Sequence, residues 1–439
     1  MKHQRTLSDS SILRYITFTA LYVAQGLPLG VLTVALPAWL ATQGMGTAKI
    51  GEFVAITTIP WSLKLVWGPL MDRYGFLSMG KRRPWVLMAQ LGLTLSFFSL
   101  TLVSDPIGMV NAVAIIGFAI SLCASMQDVA VDGMAIEALP EAQRARANGL
   151  MFGGQGLGLS LAASATGALL GDYGLSIAIL PAGVVIALIL FLTIIVRERP
   201  GEKLLPWTEG CASSVVVNNR VTEWSAVVRS LLRSFVLPMS LLAALIVFVF
   251  RVGSGIMTPF LTVFTVQELG WSDADYANTQ AVATLITVAI GILIIGPAVD
   301  RLGALRVAYI TGVLWMALCG AAGMLSDLWL VRSAVTAFMI GTSVLSIAVA
   351  ISFGSVFMGM CWQRVAATQF ALYMALVNLG LAVGSALTGT LDATLSHQQI
   401  FFAIAACGGV FLLLLFFLNL NTHQQRLSEL NETGKIEPT

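Results

Sequence analysis

Charge is scarce in this sequence. Only 10% of its 439 residues are Asp, Glu, Lys or Arg, against about 25% in soluble domains. With 57% hydrophobic residues and a mean hydropathy of +0.87, no aqueous globule can hide the apolar surface. A soluble enzyme, a disordered chain and a nucleic-acid binder are therefore excluded. Histidine is nearly missing. His3, His397 and His423 lie in tails or loops, which leaves no histidine proton relay and no His/Asp constellation for a membrane-embedded acyltransferase. The five cysteines are odd in number and form no CxxC pair, so neither a disulfide framework nor a metal site is expected. The run Gly153-Gly154-Gln155-Gly156-Leu157-Gly158 lacks a P-loop lysine and no strand precedes it. It reads as a close helix crossing, not a phosphate cradle. Nucleotide-driven pumping is unsupported, and no cofactor is expected.

What is abundant is long apolar sequence. Twelve segments stand between charged or Pro/Gly-containing breaks: 12–40, 50–70, 84–104, 107–136, 146–170, 175–197, 236–264, 276–298, 305–325, 329–356, 364–390 and 398–420. A transmembrane helix needs about 20 apolar residues. The first segment exceeds a signal-peptide core and reads as an uncleaved helix. The segments are continuously apolar rather than alternating, which selects helices over a barrel. The expected class is an all-α polytopic membrane protein with twelve transmembrane helices. Placing both termini in the cytoplasm puts nearly all basic residues on that side. Of 24 Lys and Arg, only Lys49, Lys64, Arg251 and Arg332 fall elsewhere. The longest polar stretch sits in the middle, so the expected organisation is a six-helix bundle over 1–197, a cytoplasmic linker over 198–235, and a second bundle with a short tail over 236–439.

The halves repeat. Gly68-Pro69-Leu70-Met71-Asp72-Arg73-Tyr74-Gly75 ends the second segment, and Gly296-Pro297-Ala298-Val299-Asp300-Arg301-Leu302-Gly303 ends the eighth. Both read GPxxDRxG. Parallel six-helix repeats are the build of the major facilitator superfamily, and the octets resemble its signature loop between helices 2 and 3. The resemblance implies a latch that holds the cytoplasmic face shut when the transporter opens outward. Gly68, Asp72, Arg73, Gly75, Arg82, Arg83, Asp300 and Arg301 would form it, the acid at a helix end facing basic residues. A plain positive-inside anchor is the other reading. A narrower resemblance runs along the chain. Tyr22-Val23-Ala24-Gln25-Gly26-Leu27-Pro28, Pro60-Trp61-Ser62-Leu63-Lys64, Gly80-Lys81-Arg82-Arg83-Pro84-Trp85, Gln127-Asp128-Val129-Ala130-Val131-Asp132 and Ala367-Thr368-Gln369-Phe370-Ala371-Leu372 together resemble the AmpG-like branch. That branch includes muropeptide permeases, acetyl-CoA transporters and some siderophore permeases. Its muropeptide permeases carry additional hydrophobic segments beyond the twelve counted here.

Charges inside apolar segments are the candidate machinery, since each costs about 2.5–3.5 kcal/mol to insert. Lys64 lies about 12 Å from the end of its helix. Asp128 and Asp132, spaced i,i+4, share a helix face at about 18 and 12 Å. Two acids facing one base leave one negative charge unmatched, which favours protonation of one acid. Asp132 is the expected proton site and Asp128 the Lys64 partner; a permanently ionised structural cluster is the alternative. Arg251 has no acidic partner in segments 7 to 12, and the superfamily resemblance puts segment 7 at the central cavity. A guanidinium there suits a substrate carboxylate or phosphate, unless it pairs with the other half or snorkels. Gln25, Gln155, Gln369 and Asn378 are polar residues in apolar helices, either substrate ligands or interhelical bonds worth about 0.6 kcal/mol.

The expected function is proton-coupled uptake of a polar or anionic solute, siderophore- or muropeptide-like, by alternating access. The expected setting is a bacterial cytoplasmic membrane, with protons and lipids as partners, no nucleic acid, and a monomeric protein. The alternative is an exporter of amphiphilic drugs or lipids on the same scaffold.

Overall fold

A computed structural model describes residues 6–74, 76–212, 231–362 and 366–433. Gly75, residues 213–230 and 363–365 and both extreme termini lie outside the described residues. The chain folds into α1 (Ser11–Thr42), α2 (Thr47–Met71), α3 (Arg83–Leu102), α4 (Val110–Ala138), α5 (Glu141–Ala178), α6 (Leu180–Ile195), α7 (Pro238–Glu268), α8 (Asp273–Leu302), α9 (Ala304–Met324), α10 (Arg332–Met360), α11 (Ala366–Thr394) and α12 (His397–Phe416). Among the described residues no strand forms. Ten of these helices are long and apolar enough to cross a membrane alone, whereas α5 and α6 meet the test only as a pair bent by 51°. A thirteenth helix, α13 (Leu420–Thr433), lies in the polar tail. The sequence gives it a start signal, because Asn419 Oδ1 accepts from the N–H groups of Asn421 and Thr422 at 3.0 and 3.2 Å.

Prolines locate the irregular turns. Pro60 cannot donate a backbone hydrogen bond, and α2 tightens to a 3-10 turn over Ile59–Leu63 before resuming at Lys64. Wide π turns occupy Val31–Ala35 in α1, Phe264–Glu268 in α7 and Gly291–Ile295 in α8. Each lies within a few residues of a proline, Pro37, Pro259 or Pro297.

The chain divides into two compact units, 1–222 with 259–288, and 223–258 with 289–439. The boundary cuts α7 at Pro259 and α8 just before its π turn. In the first unit α1 crosses α5 through glycines. A Cβ on Gly26 would press into the carbonyl of Gln155, and one on Gly158 into that of Val23. The second unit repeats the device between α7 and α11, where Gly384 faces the Val252 carbonyl and Gly255 that of Leu381. Both are small-residue crossings of the kind that join helices in lipid. Aromatic rings fill the rest of the second unit, with Phe250 between Trp315 and Phe411 at 4.8 and 5.2 Å. Large apolar side chains such as Leu95, Ile115, Leu188, Leu293 and Leu413 stand exposed on helices, as a lipid-facing surface requires.

Within the first unit, residues 259–288 pack on the helix ends remote from the basic loops. Gln267 Nε2 donates to the carbonyls of Ala41 and Met45 at 2.8 and 3.0 Å, Ser160 Oγ to Ala281 O at 3.0 Å, and Ser164 Oγ to Asn278 Oδ1 at 2.5 Å.

Candidate functional site

The 3-10 turn at Pro60 delivers Lys64 to α4. Its ammonium forms an ion pair with the Asp128 carboxylate, and both side chains are largely buried, at 17% and 6% exposure. The same ammonium lies 4.9 Å from the Trp61 ring centre, a cation–π contact. One helical turn along α4, Asp132 has a different neighbour, accepting a hydrogen bond from the Tyr22 hydroxyl of α1. Gln127 Nε2 fixes α4 beside α1 by donating to Leu21 O at 3.0 Å. One base thus sits on one acid, and the second acid is met by a neutral phenol.

Tyr22 and Gln25 are three residues apart and share a face of α1. Gln155 of α5 donates to Gln25 Oε1 at 3.3 Å, while the Gln25 amide nitrogen is buried without a partner. The polar row Gln155–Gln25–Tyr22–Asp132 therefore crosses the first unit and ends beside Asp128 and Lys64. Tyr22 and Trp61 are site neighbours that sequence reading passed over. The signal for Tyr22 was its i,i+3 spacing to Gln25; for Trp61, its place three residues before an intramembrane lysine.

In the second unit, Arg251 stands at the α7–α11 crossing, its Cβ against Gly380. Its Nε is buried, and among the described residues it has no hydrogen-bond or ion-pair partner. Gln369 is fully buried with its amide committed: Oε1 accepts from Trp362 N at 2.9 Å and Nε2 donates to Tyr373 at 3.2 Å. That geometry staples the α10–α11 corner. Asn378 lies half-buried on α11, two residues before Gly380.

The octet loops are placed less uniformly. The side chain of Asp72 and all of Gly75 lie outside the described residues. Arg73 is exposed, with its guanidinium 5.7 Å from the Tyr74 ring, and no other chain packs where a Cβ on Gly68 would stand. Arg82 is buried against Gly133 of α4, one residue from Asp132. Arg83 reaches the C-terminal end of α6, donating to Val196 O at 2.6 Å, Ile194 O at 2.9 Å, Thr193 O at 3.4 Å and, in the following segment, Lys203 O at 3.1 Å. A guanidinium there satisfies terminal carbonyls and matches the negative end of the helix dipole. Asp300 and Arg301 are exposed at the end of α8.

The segment after α6 brings acids to the same place. Gly80, at φ 103°, has no room for a Cβ, which would stand 2.5 Å from Glu198 Oε2 and 3.1 Å from Glu202 Oε2. Both glutamates are buried. Burial first, and the neighbouring Glu198 charge second, push the Glu202 carboxyl up to about 7, against the opposing bond from Arg199 N at 3.0 Å. Strand-like pairing of Leu7 N with Arg197 O at 3.0 Å ties the start of the chain to this corner.

Comparison with known proteins agrees with this architecture. The family model of the Major Facilitator Superfamily matches residues 18–277 and 243–437. An anhydromuropeptide permease of Escherichia coli is 26% identical over 377 residues, spanning 81% of this chain and 70% of its own. An uncharacterized protein of Haemophilus influenzae is 34% identical over 116 residues, 26% of this chain and 27% of its own. Among solved structures, the nucleoside transporter NupG superposes with a TM-score of 0.66 at 14% identity, covering 92% of this chain and 98% of that one; this likeness concerns the fold. The chain belongs to the Major Facilitator Superfamily, a multi-pass membrane transporter, not an enzyme, similar to the AmpG-like permeases.

Proposed function

We propose that the protein is a proton-coupled importer of an anionic, muropeptide-like solute. The observation that carries the coupling is the division of partners among Lys64, Asp128 and Asp132. Lys64 pairs with Asp128, whereas Asp132 is bonded by the neutral Tyr22 hydroxyl and feels Lys64 only at longer range. A carboxyl buried among helices and held by a phenol takes up a proton at lower cost than one in an ion pair. When Asp132 binds a proton, the row through Tyr22 to Gln25 loses its negative end, and the helices carrying it can pack differently. Arg251 supports the anionic substrate, because a half-buried guanidinium whose buried Nε has no partner among the described residues calls for one from solution. The anhydromuropeptide permease relative favours that solute class over other anions.

Movement has defined places in this reading. The two halves, joined by the 198–235 linker, rock about the turns near Pro259 and Gly291, where two helices pass from one compact unit to the other. In the proposed orientation both termini face the cytoplasm of a bacterial cell and the protein acts as a monomer.

Uptake into proteoliposomes tests the reading. A labelled anhydromuropeptide should accumulate when the external side is made acidic and discharge when an uncoupler is added. Accumulation indifferent to both treatments rules proton coupling out.

A further inference from the structure

Proton coupling leaves one buried titratable pair unused, Glu198 and Glu202, in the segment that follows α6. Within the first unit this segment is bound from two sides. The α2–α3 loop holds it through Lys203 N, which donates to Ser78 O at 2.7 Å, and through Arg83, whose guanidinium donates to Lys203 O at 3.1 Å. From the other side the N-terminal arm donates to it, Leu7 N to Arg197 O at 3.0 Å and Ser8 N to Glu198 O at 3.1 Å. The two carboxyl groups lie inside this clasp, Glu198 at 2% exposure and Glu202 at 1%. Their Oε2 atoms converge on Gly80, whose φ of 103° and missing side chain let the loop close over them.

Glu202 has little to hold a negative charge. One oxygen accepts from Arg199 N at 3.0 Å, and Oε1 is buried with no hydrogen-bond partner among the described residues. The charges of Arg199 and Arg83 favour the carboxylate, yet burial and the Glu198 charge outweigh them and hold the carboxyl up at about 7. Arg197 acts on Arg83 from the same segment, and Lys81 and Arg82 follow Gly80 on the loop. The remaining ions of the corner are committed locally. Lys203 Nζ donates to Pro206 O at 3.3 Å, Arg14 to Leu7 O, Ser8 O and Gln143 Oε1, and Asp9 accepts from the Thr6 and Ser8 hydroxyls at 2.7 and 3.0 Å.

We propose that Glu198 and Glu202 form a proton-operated clasp, which holds the α2–α3 loop against the end of α6 in acid and releases it as the medium on that side turns alkaline. Neutral Glu202 shares the space beneath Gly80 with Glu198. Ionised Glu202 adds a second negative charge there, so the segment lifts into water, the proton leaves, and the Lys203–Ser78 and Arg83–Lys203 bonds break. In the proposed orientation that medium is the cytoplasm. An importer whose gating loop is held by an acid cytoplasm slows as it brings protons in. That consequence rests on the function proposed above; the clasp itself does not.

Hydrogen exchange of the purified full chain, read by mass spectrometry on peptides covering 76–83 and 197–205, tests the clasp without substrate or gradient. Comparison of wild type with Glu202→Gln at the same pH cancels the intrinsic pH dependence of exchange, and peptides of α13 give a second reference within the wild type. A carboxyl at about 7 when closed and 4.5 when open makes opening about tenfold more frequent at pH 8 than at pH 6. Wild type should lose about tenfold in protection over that interval against both references, whereas Glu202→Gln should stay protected. Glu198→Gln removes the neighbouring charge and should move the loosening to lower pH. Wild-type protection that does not change with pH beyond the α13 reference overturns the proposal. So does an equal change in Glu202→Gln, or a pH window unmoved in Glu198→Gln.

Discussion

Asp128→Asn and Asp132→Asn are the same chemical change one helical turn apart, yet the structure assigns them different consequences. Asn keeps the volume of Asp, so packing is preserved and charge alone is removed. At position 128 the loss strands the Lys64 ammonium, whose side chain is only 17% exposed. Breaking a buried pair from one side costs about 3–5 kcal/mol. At position 132 the Asn carbonyl still accepts from Tyr22, so the loss is that between a charged and a neutral hydrogen bond, about 1 kcal/mol. Removing both charges with Lys64→Met in the Asp128→Asn background should recover most of the first loss, because an apolar replacement of a buried pair is near neutral. Unfolding in detergent, followed by tryptophan fluorescence, gives the order directly: Asp128→Asn weakest, the double variant intermediate or better, Asp132→Asn close to wild type. If Asp132→Asn is the more destabilising, or the double variant is no more stable than Asp128→Asn, the partition of partners is wrong.

Arg251→Gln should weaken binding of an anionic substrate by about 10-fold or more, and Arg251→Lys, which keeps charge but loses the planar fork, by less; equal affinity by calorimetry in all three forms places Arg251 outside the site. Glu202 has a raised carboxyl, so its stabilising contribution is complete below the unfolded value near 4.5 and is lost as pH rises through about 7. Melting temperature should therefore fall across that window in wild type and fall less in Glu202→Gln; parallel profiles mean that the carboxyl does not titrate there. Gly26→Ala should sharply lower folded yield because its Cβ meets the Gln155 carbonyl, whereas Gly153→Ala, with open space at its Cβ, should be tolerated; equal yields by size-exclusion chromatography would deny the tight crossing.

The helices were legible because lipid imposes one rule on them all, and the twelve apolar segments reappear as α1 to α12. The repeat was legible from the octets, and its structural counterpart at the glycine crossings could be half-seen in Gly153–Gly158. The break at Pro60 and the π turns are set by a missing donor and its neighbours' adjustment, which spacing alone does not resolve. Depth arithmetic put Lys64 near both acids and named Asp128 as its partner, and that ion pair is present in the structure. Tyr22 escaped because a tyrosine in an apolar helix usually reads as packing. The destinations of Arg83 and Gln369 are carbonyls and a tyrosine brought close by tertiary structure, so sequence could mark them as polar but not say what they hold. The tail helix α13 was missed because its composition is polar and the partner of its buried His423, the Met360 carbonyl, lies on a distant segment.

The central claim is that Asp132 carries the coupled proton, and proteoliposomes loaded for both exchange and net uptake test it most directly. With labelled anhydromuropeptide, Asp132→Asn should exchange substrate across the membrane in counterflow, which needs no net proton movement, yet fail to accumulate it under an imposed proton gradient. Accumulation by Asp132→Asn to the wild-type level under that gradient would contradict the account.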